Sequence, residues 1–347
     1  MQTHLSTKTV PALRTGSLNK LLWPLLLLAL PSFLNGCQNP PAPTAPNQNA
    51  VPTPSPSASP TPTGTAFDGQ RAFEHVRKQV EFGPHPAGSE ELAKTREYII
   101  GELKSYGLNV TTDEWKPQTP VGVRQMVNVT AELPGESSDV IIISSHYDTK
   151  LFKEFQFVGA DDGGSSTGAL MELARVLATS GQKPRFTYWF VFFDGEEAFC
   201  KEWEQCKNNG EPDNTYGSRH FVAQLKMKNE VKRVRAMILL DMIGFKDLEF
   251  GRDDDMSTKW LVDTIWDTAK ERGYGRQFLS MNEGVGGDDH EPFVKAGIDS
   301  VDIIQLASYP YWHTADDTLD KISPQSLKIV GEVVLASLPR IEQRLQK

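Results

Sequence analysis

"FTYWFVFFDGEEAF" (186–199) runs a block of aromatic and β-branched residues straight into Asp194, Glu196 and Glu197. An apolar run of this length, without helical spacing, predicts a core strand. Three carboxylates at its exit repel one another unless something positive stands among them or one of them holds a proton. A metal ion is the first candidate for that positive charge.

Working outward from this strand, the chain alternates. Helical spacing covers 72–82, and Ser89 is expected to cap a second helix that Gly107 ends. Strands are predicted over 108–115, 123–132 and 139–148, then an amphipathic helix over 165–181. Beyond the aromatic strand (186–193) come a helix at 217–226 and a strand at 235–244. Helices near 257–272, 289–296 and 323–344 surround a last strand at 300–306. Strands alternating with helices predict a three-layer α/β sandwich, its central sheet mixed but largely parallel and flanked by helices. Residues 67–347 are expected to form this one domain.

Ligands of open α/β sheets bind beyond the carboxyl ends of the strands. His146 and Asp148 close one predicted strand, Glu196 and Glu197 follow the next, and Asp241 closes a third. Loops add more acid and imidazole: Asp161 and Asp162 in "FVGADDGGSS" (157–166), Asp288 to His290 in "GGDDHEPF" (286–293), and His313 in "YWHTADDT" (311–318). Helix capping is expected to occupy one of Asp161 and Asp162. The mixture of imidazole and carboxylate favours Zn²⁺ over Mg²⁺ or Ca²⁺, which prefer all-oxygen sets. A serine-triad enzyme is not expected.

The N-terminal part has a different character. Lys8, Arg14 and Lys20 precede the apolar stretch 21–34, and "LNGC" ends at Cys37. A basic region, a short apolar core and small residues describe an export signal, and the core is too short for a comfortable bilayer span. Small residues before a cysteine resemble a bacterial lipoprotein signal, which implies that residues 1–36 are removed and Cys37 is lipidated. Residues 38–66 hold nine prolines and no charge, the composition of an extended spacer that cannot build a core. The chain is thus expected to be exported and anchored in a bacterial cell envelope. Loss of residues 1–36 removes three basic groups and no acids, taking the formal charge of −9 to −12. So acidic a surface argues against nucleic acid as a partner. A monomer is expected. Cys200 and Cys206 read either as a disulfide or as metal-ligating thiols, the latter at a spacing unusual for zinc.

HYD (146–148), GADD (159–162), DGEE (194–197), LLDMIG (239–244) and WHT (312–314) occur in this order. In this the chain resembles the superfamily of zinc-dependent aminopeptidases and carboxypeptidases, over residues 70–345. The resemblance implies one of two chemistries. A bi-zinc aminopeptidase would hold one ion on His146 and Asp241 and the other on Glu197 and His313, with Asp162 bridging. A glutaminyl cyclase would hold one zinc on Asp162, Glu197 and His313 and convert the N-terminal glutamine of peptides to pyroglutamate. "DGEEAF", "YGSRH", "DDHEPF" and the Trp before His313 resemble the cyclases more closely. That likeness implies Glu196 as proton shuttle, Asp288 backed by Asp241 at the leaving nitrogen, and Trp203 and Trp312 as walls of a glutamine pocket. Three departures stand out: a loop one residue longer before Trp203, Ser145 and Thr167 where a cysteine pair is usual, and Asp302 in place of a histidine. A metal-free surface binding domain is the remaining alternative.

Overall fold

The structure is a computed structural model that describes residues 66–346, apart from 204 and 209. The expected signal and Cys37, with the spacer up to residue 65, lie outside the described residues. Six strands form the central sheet: β1 (Asn109–Trp115), β2 (Met126–Leu133), β3 (Val140–His146), β4 (Thr187–Phe193), β5 (Val234–Asp241) and β6 (Ser300–Ile304). Their spatial order is β1-β2-β4-β3-β5-β6. The β1/β2 and β2/β4 pairs are antiparallel, whereas β4, β3, β5 and β6 run parallel. The sheet is mixed and mostly parallel, as the alternation predicts.

Helices cover both faces. On one face α1 (Gly69–Phe82), α2 (Glu90–Ser105), α3 (Gly164–Thr179), α5 (Lys259–Glu271) and α7 (Pro324–Leu345) share a core with Ile141, Ile143, Phe190, Phe192, Ile238 and Leu240. On the other, α4 (Tyr216–Met227) and α6 (Glu291–Lys295) pack on Val140, Ile142, Val191, Phe193, Met237 and Leu239. Alternate residues of one strand therefore enter two different cores. This explains why the aromatic strand shows no polar alternation: neither of its faces meets water.

Register then brings the strand ends level. His146 pairs with Phe193, and Ile304 with Asp241. Because Ser144 pairs with Leu239, His146 ends β3 at the level where Asp241 ends β5. The strand predicted to reach Asp148 stops at His146: Tyr147 N–H still bonds to Phe193 O, but Thr149 N–H has turned to His85 O. A small parallel pair, Phe250–Arg252 with Phe278–Asn282, was not predicted: its strands are too short and polar to show a period. Among the described residues no helix is long and apolar enough to cross a membrane.

Candidate active site

Two loops and the ends of three strands meet at the carboxyl edge of the parallel strands. His146 Nε2 lies 3.2 Å from Asp241 Oδ1 and 3.3 Å from Asp162 Oδ1. The other oxygen of Asp162 is 3.4 Å from His313 Nε2, which is 3.3 Å from Glu197 Oε1. Asp162 thus stands between two triads, His146–Asp162–Asp241 and Asp162–Glu197–His313, each able to gather one ligand atom per residue around a metal.

The turn that presents Asp162 is not built by capping, contrary to expectation. The N-cap of α3 is Gly163, at φ 77° and with no side-chain hydrogen bond, so neither aspartate caps the helix. A side chain at 163 would also put its Cβ 2.7 Å from His146 Cε1. Asp161 instead ties the turn to the chain after β5 by accepting from Gly244 N–H at 2.7 Å. Asp317 accepts from the backbone N–H groups of Asp161 (2.9 Å) and Asp162 (3.1 Å), while Tyr309 O–H donates to it at 2.6 Å. Hence the loop carrying His313 and the turn carrying Asp162 are held by one buried carboxylate. His313 and Met242 have φ of 55° and 43°, conformations that residues other than glycine rarely keep unless their surroundings fix them.

At the exit of the aromatic strand the three acids part company. Asp194 is structural: its Oδ2 accepts from Val127 N–H (2.8 Å) and Tyr147 O–H (3.3 Å). Gly195, at φ 72°, turns the chain, and Asp148 then accepts from the N–H groups of Glu196 (3.1 Å) and Glu197 (3.4 Å). Burial, joined by neighbouring Asp148, raises Asp194 well above the ordinary carboxylate range. Burial also raises Glu196 strongly, with Glu197, Asp288 and Asp289 adding to the shift against the pull of His146. For Glu197, burial pushes upward too, but His313 and Lys150 outweigh it and hold the group at about 2. Asp162 is driven up to about 7 by burial and by the charge of Glu197. One of the three exit carboxylates is therefore ionised beside cationic partners, and the others are pushed toward the neutral form.

A cavity of about 300 Å³ opens over this edge. Asp162, Glu197 and His313 line it together with Glu196, Asp241 and Asp288, whereas His146 lies behind its wall. Trp203 and Trp312 also line it. Trp312 stacks on the His313 ring with centroids 4.2 Å apart and remains 41% exposed at the mouth. Burial, with Asp241 next, raises Asp288 to about 7; one of its oxygens accepts from Asp289 N–H and the other has no protein hydrogen-bond partner. Cys200 and Cys206 are bonded to each other, closing the loop that carries Trp203 and removing the thiol-ligand alternative. Of the site residues named from the sequence, Asp162, Glu196, Glu197, Trp203, Asp241, Asp288, Trp312 and His313 line this cavity, and His146 adjoins Asp162 and Asp241 behind it.

Other participants were not visible in the sequence. Lys150 and Asp317, like the already named Asp148, act through partners far away in the chain, and no local pattern announces such contacts. His290 sits buried between Asp253 (3.3 Å) and Asp302 (3.7 Å), so the unusual acid on β6 faces an imidazole. The expectation against a serine triad takes the chain to hold no G-x-S-x-G elbow, yet the string GSSTG (164–168) does fit that pattern. It is no nucleophile elbow, because it lies within α3 and Ser166 is fully buried, hydrogen bonded to Gly163 O and Ser145 Oγ.

Imidazole and carboxylate triads opening into a cavity at the carboxyl edge of an α/β sheet define a metal-dependent enzyme. The chain belongs to peptidase family M28, whose family model matches residues 128–338. It is similar to the crystal structure of an Acidobacteriales bacterium glutaminyl cyclase, at 36% identity over 87% of this chain and 100% of that one, with a TM-score of 0.73. Glutaminyl-peptide cyclotransferase of Drosophila melanogaster is 27% identical over 272 residues, covering 72% of this chain and 75% of the relative. A leucine aminopeptidase precursor from Bacteroides thetaiotaomicron matches at 28% identity over 78% of this chain and 96% of its own, with a TM-score of 0.71.

Proposed function

We propose that the chain is a zinc-dependent glutaminyl-peptide cyclotransferase, closing the N-terminal glutamine of peptides to pyroglutamate and releasing ammonia. One observation carries this reading: the cavity joins Asp162, Glu197 and His313 to Glu196, Asp288 and two tryptophans, and leaves His146 outside. Its volume suits one side chain rather than an extended peptide. Similarity to proteins named as glutaminyl cyclases supports it.

The residues fit a zinc ion. Asp162 Oδ2 is buried with no hydrogen-bond partner, a costly condition that a cation relieves. Asp162, Glu197 and His313 would hold it, supplying one nitrogen and two oxygens and leaving a position free. Zinc bound there would polarise the γ-carbonyl of glutamine as a Lewis acid. The protein's own groups supply the rest. Trp203 and Trp312 enclose the side chain and exclude water. The substrate's α-amine attacks the carbonyl carbon of the γ-carboxamide, forming the ring C–N bond, and Glu196 accepts a proton from that amine. Glu196 then returns a proton to the departing nitrogen as the old C–N bond breaks, freeing ammonia. A carboxyl raised by burial is suited to both directions of transfer. Asp288, with Asp241 behind it, accepts hydrogen bonds from the leaving amide nitrogen.

A two-zinc aminopeptidase is the second reading, favoured by the other triad, His146–Asp162–Asp241. Metal analysis separates the two. The proposed cyclase should carry about one zinc per chain, and His146→Ala should keep it. Two ions in the parent protein, with half lost in the variant, would overturn the single-zinc reading.

We further propose that the chain is exported, cut before Cys37 and anchored by lipid there, with residues 38–66 as the tether of a monomeric catalytic domain. Cys37→Ser should move the protein from the membrane fraction to the soluble fraction with turnover unchanged. Continued membrane association in that variant would show that Cys37 is not the anchor.

A further inference from the structure

Lys150 is 1% exposed, so its ammonium is withdrawn almost entirely from water. A buried ammonium without partners is costly. Here it has two: Nζ donates to Ala198 O at 2.9 Å and lies 3.6 Å from Glu197 Oε2. The lysine's own position is fixed from behind, where His85 N–H donates to Thr149 Oγ1 (2.9 Å) and Thr149 N–H donates to His85 O (3.2 Å). His146, Asp148 and Lys150, at every second residue, divide the work of one short segment. His146 reaches Asp162 and Asp241, Asp148 accepts from the backbone of Glu196 and Glu197, and Lys150 grips the Glu197 side chain and the carbonyl that follows it.

The two oxygens of Glu197 therefore have different neighbours. Oε1 is turned to His313 Nε2 at 3.3 Å, and Oε2 to the ammonium. We infer that Lys150 is a positioning residue: it holds Glu197 in the rotamer that offers Oε1 to the metal set, so the ligand is pre-arranged. This rests on the assignment of Asp162, Glu197 and His313 as that set. Two effects of the ammonium compete. As a cation it repels a divalent ion, and as a clamp it spares the ion the ordering of a glutamate side chain. Because its nearest anion is Glu197 itself, the clamp dominates. Outer partners of metal ligands typically contribute 10–100-fold in affinity.

The test is zinc affinity of the metal-stripped full-length protein, measured by competition with a chromophoric chelator, alongside thermal melting of each stripped variant. Lys150→Met should bind zinc 10–100-fold more weakly than the parent. Lys150→Gln, which keeps a donor for Ala198 O but no charge, should be weakened similarly and serves if the Met variant does not fold. Lys150→Arg, which keeps the cation, should recover most of the affinity. A purely structural role would lower melting temperatures without ordering the zinc affinities by charge, and that pattern would overturn the inference. Equal or tighter zinc binding in the Met or Gln variant would overturn it as well. A parent protein that takes up no zinc would instead sink the ligand assignment itself, and the inference with it.

Discussion

Glu196→Gln should retain its zinc, fold normally and lose turnover by about 10²–10⁴, the usual worth of a positioned proton-transfer group. The amide has nearly the shape of the acid but can neither accept the amine's proton nor return one. Its backbone N–H still bonds to Asp148, so the neighbouring ligand is undisturbed. Stability moves the other way. An acid whose pKa is raised on folding weakens the fold as pH climbs from its unfolded value to its folded one. Removing Glu196, raised chiefly by burial, should therefore leave the neutral-pH melting temperature unchanged or higher. Since the carboxylate is the proton-accepting form, turnover of the parent should fall as pH drops through the raised pKa. The variant should lack that limb. Zinc content, circular-dichroism melting and a pH profile of turnover check the three parts together, and loss of zinc in this variant would contradict the assigned role.

Glu197→Gln should behave in the opposite way: zinc is lost, activity falls to background, and the fold weakens. Glu197 is the site carboxylate held at about 2, where burial is outweighed by His313 and Lys150. Substituting the amide removes the anion that both cations face. Lys150, 1% exposed, is then left as a buried charge without its counterion, and breaking such a pair costs on the order of 3–5 kcal/mol. The variant should thus melt below the parent even when both are metal-free. Equal zinc retention in the two glutamine variants would show that these adjacent acids do not divide the labour.

Much of this arrangement was legible before any coordinates. Residues 187–193 feed two cores at once, so their unbroken aromatic character marks a strand covered on both sides. Once the strands are known to be parallel, His146, the pair Glu196 and Glu197, and Asp241 must lie at one edge of the sheet. The loop residues Asp162, Asp288 and His313 could be named as candidates from their chemistry, but their roles needed the family resemblance, because nothing local fixes where a loop tip goes. What stayed hidden depends on distant pairing. Asp317 meets Asp161 across 156 positions, and Lys150 meets Ala198 across 48. The capping expectation at 161–162 failed because Gly163 takes the N-cap position of α3 and Asp162 faces the two histidines instead.

Incubation of the dipeptide Gln-Phe with the purified protein, followed by mass spectrometry, tests the central claim most directly. Cyclisation predicts a product lighter by one ammonia with its peptide bond whole and its N-terminus blocked. Free glutamine and free phenylalanine in place of that product would contradict the account, because only hydrolysis of the peptide bond produces them.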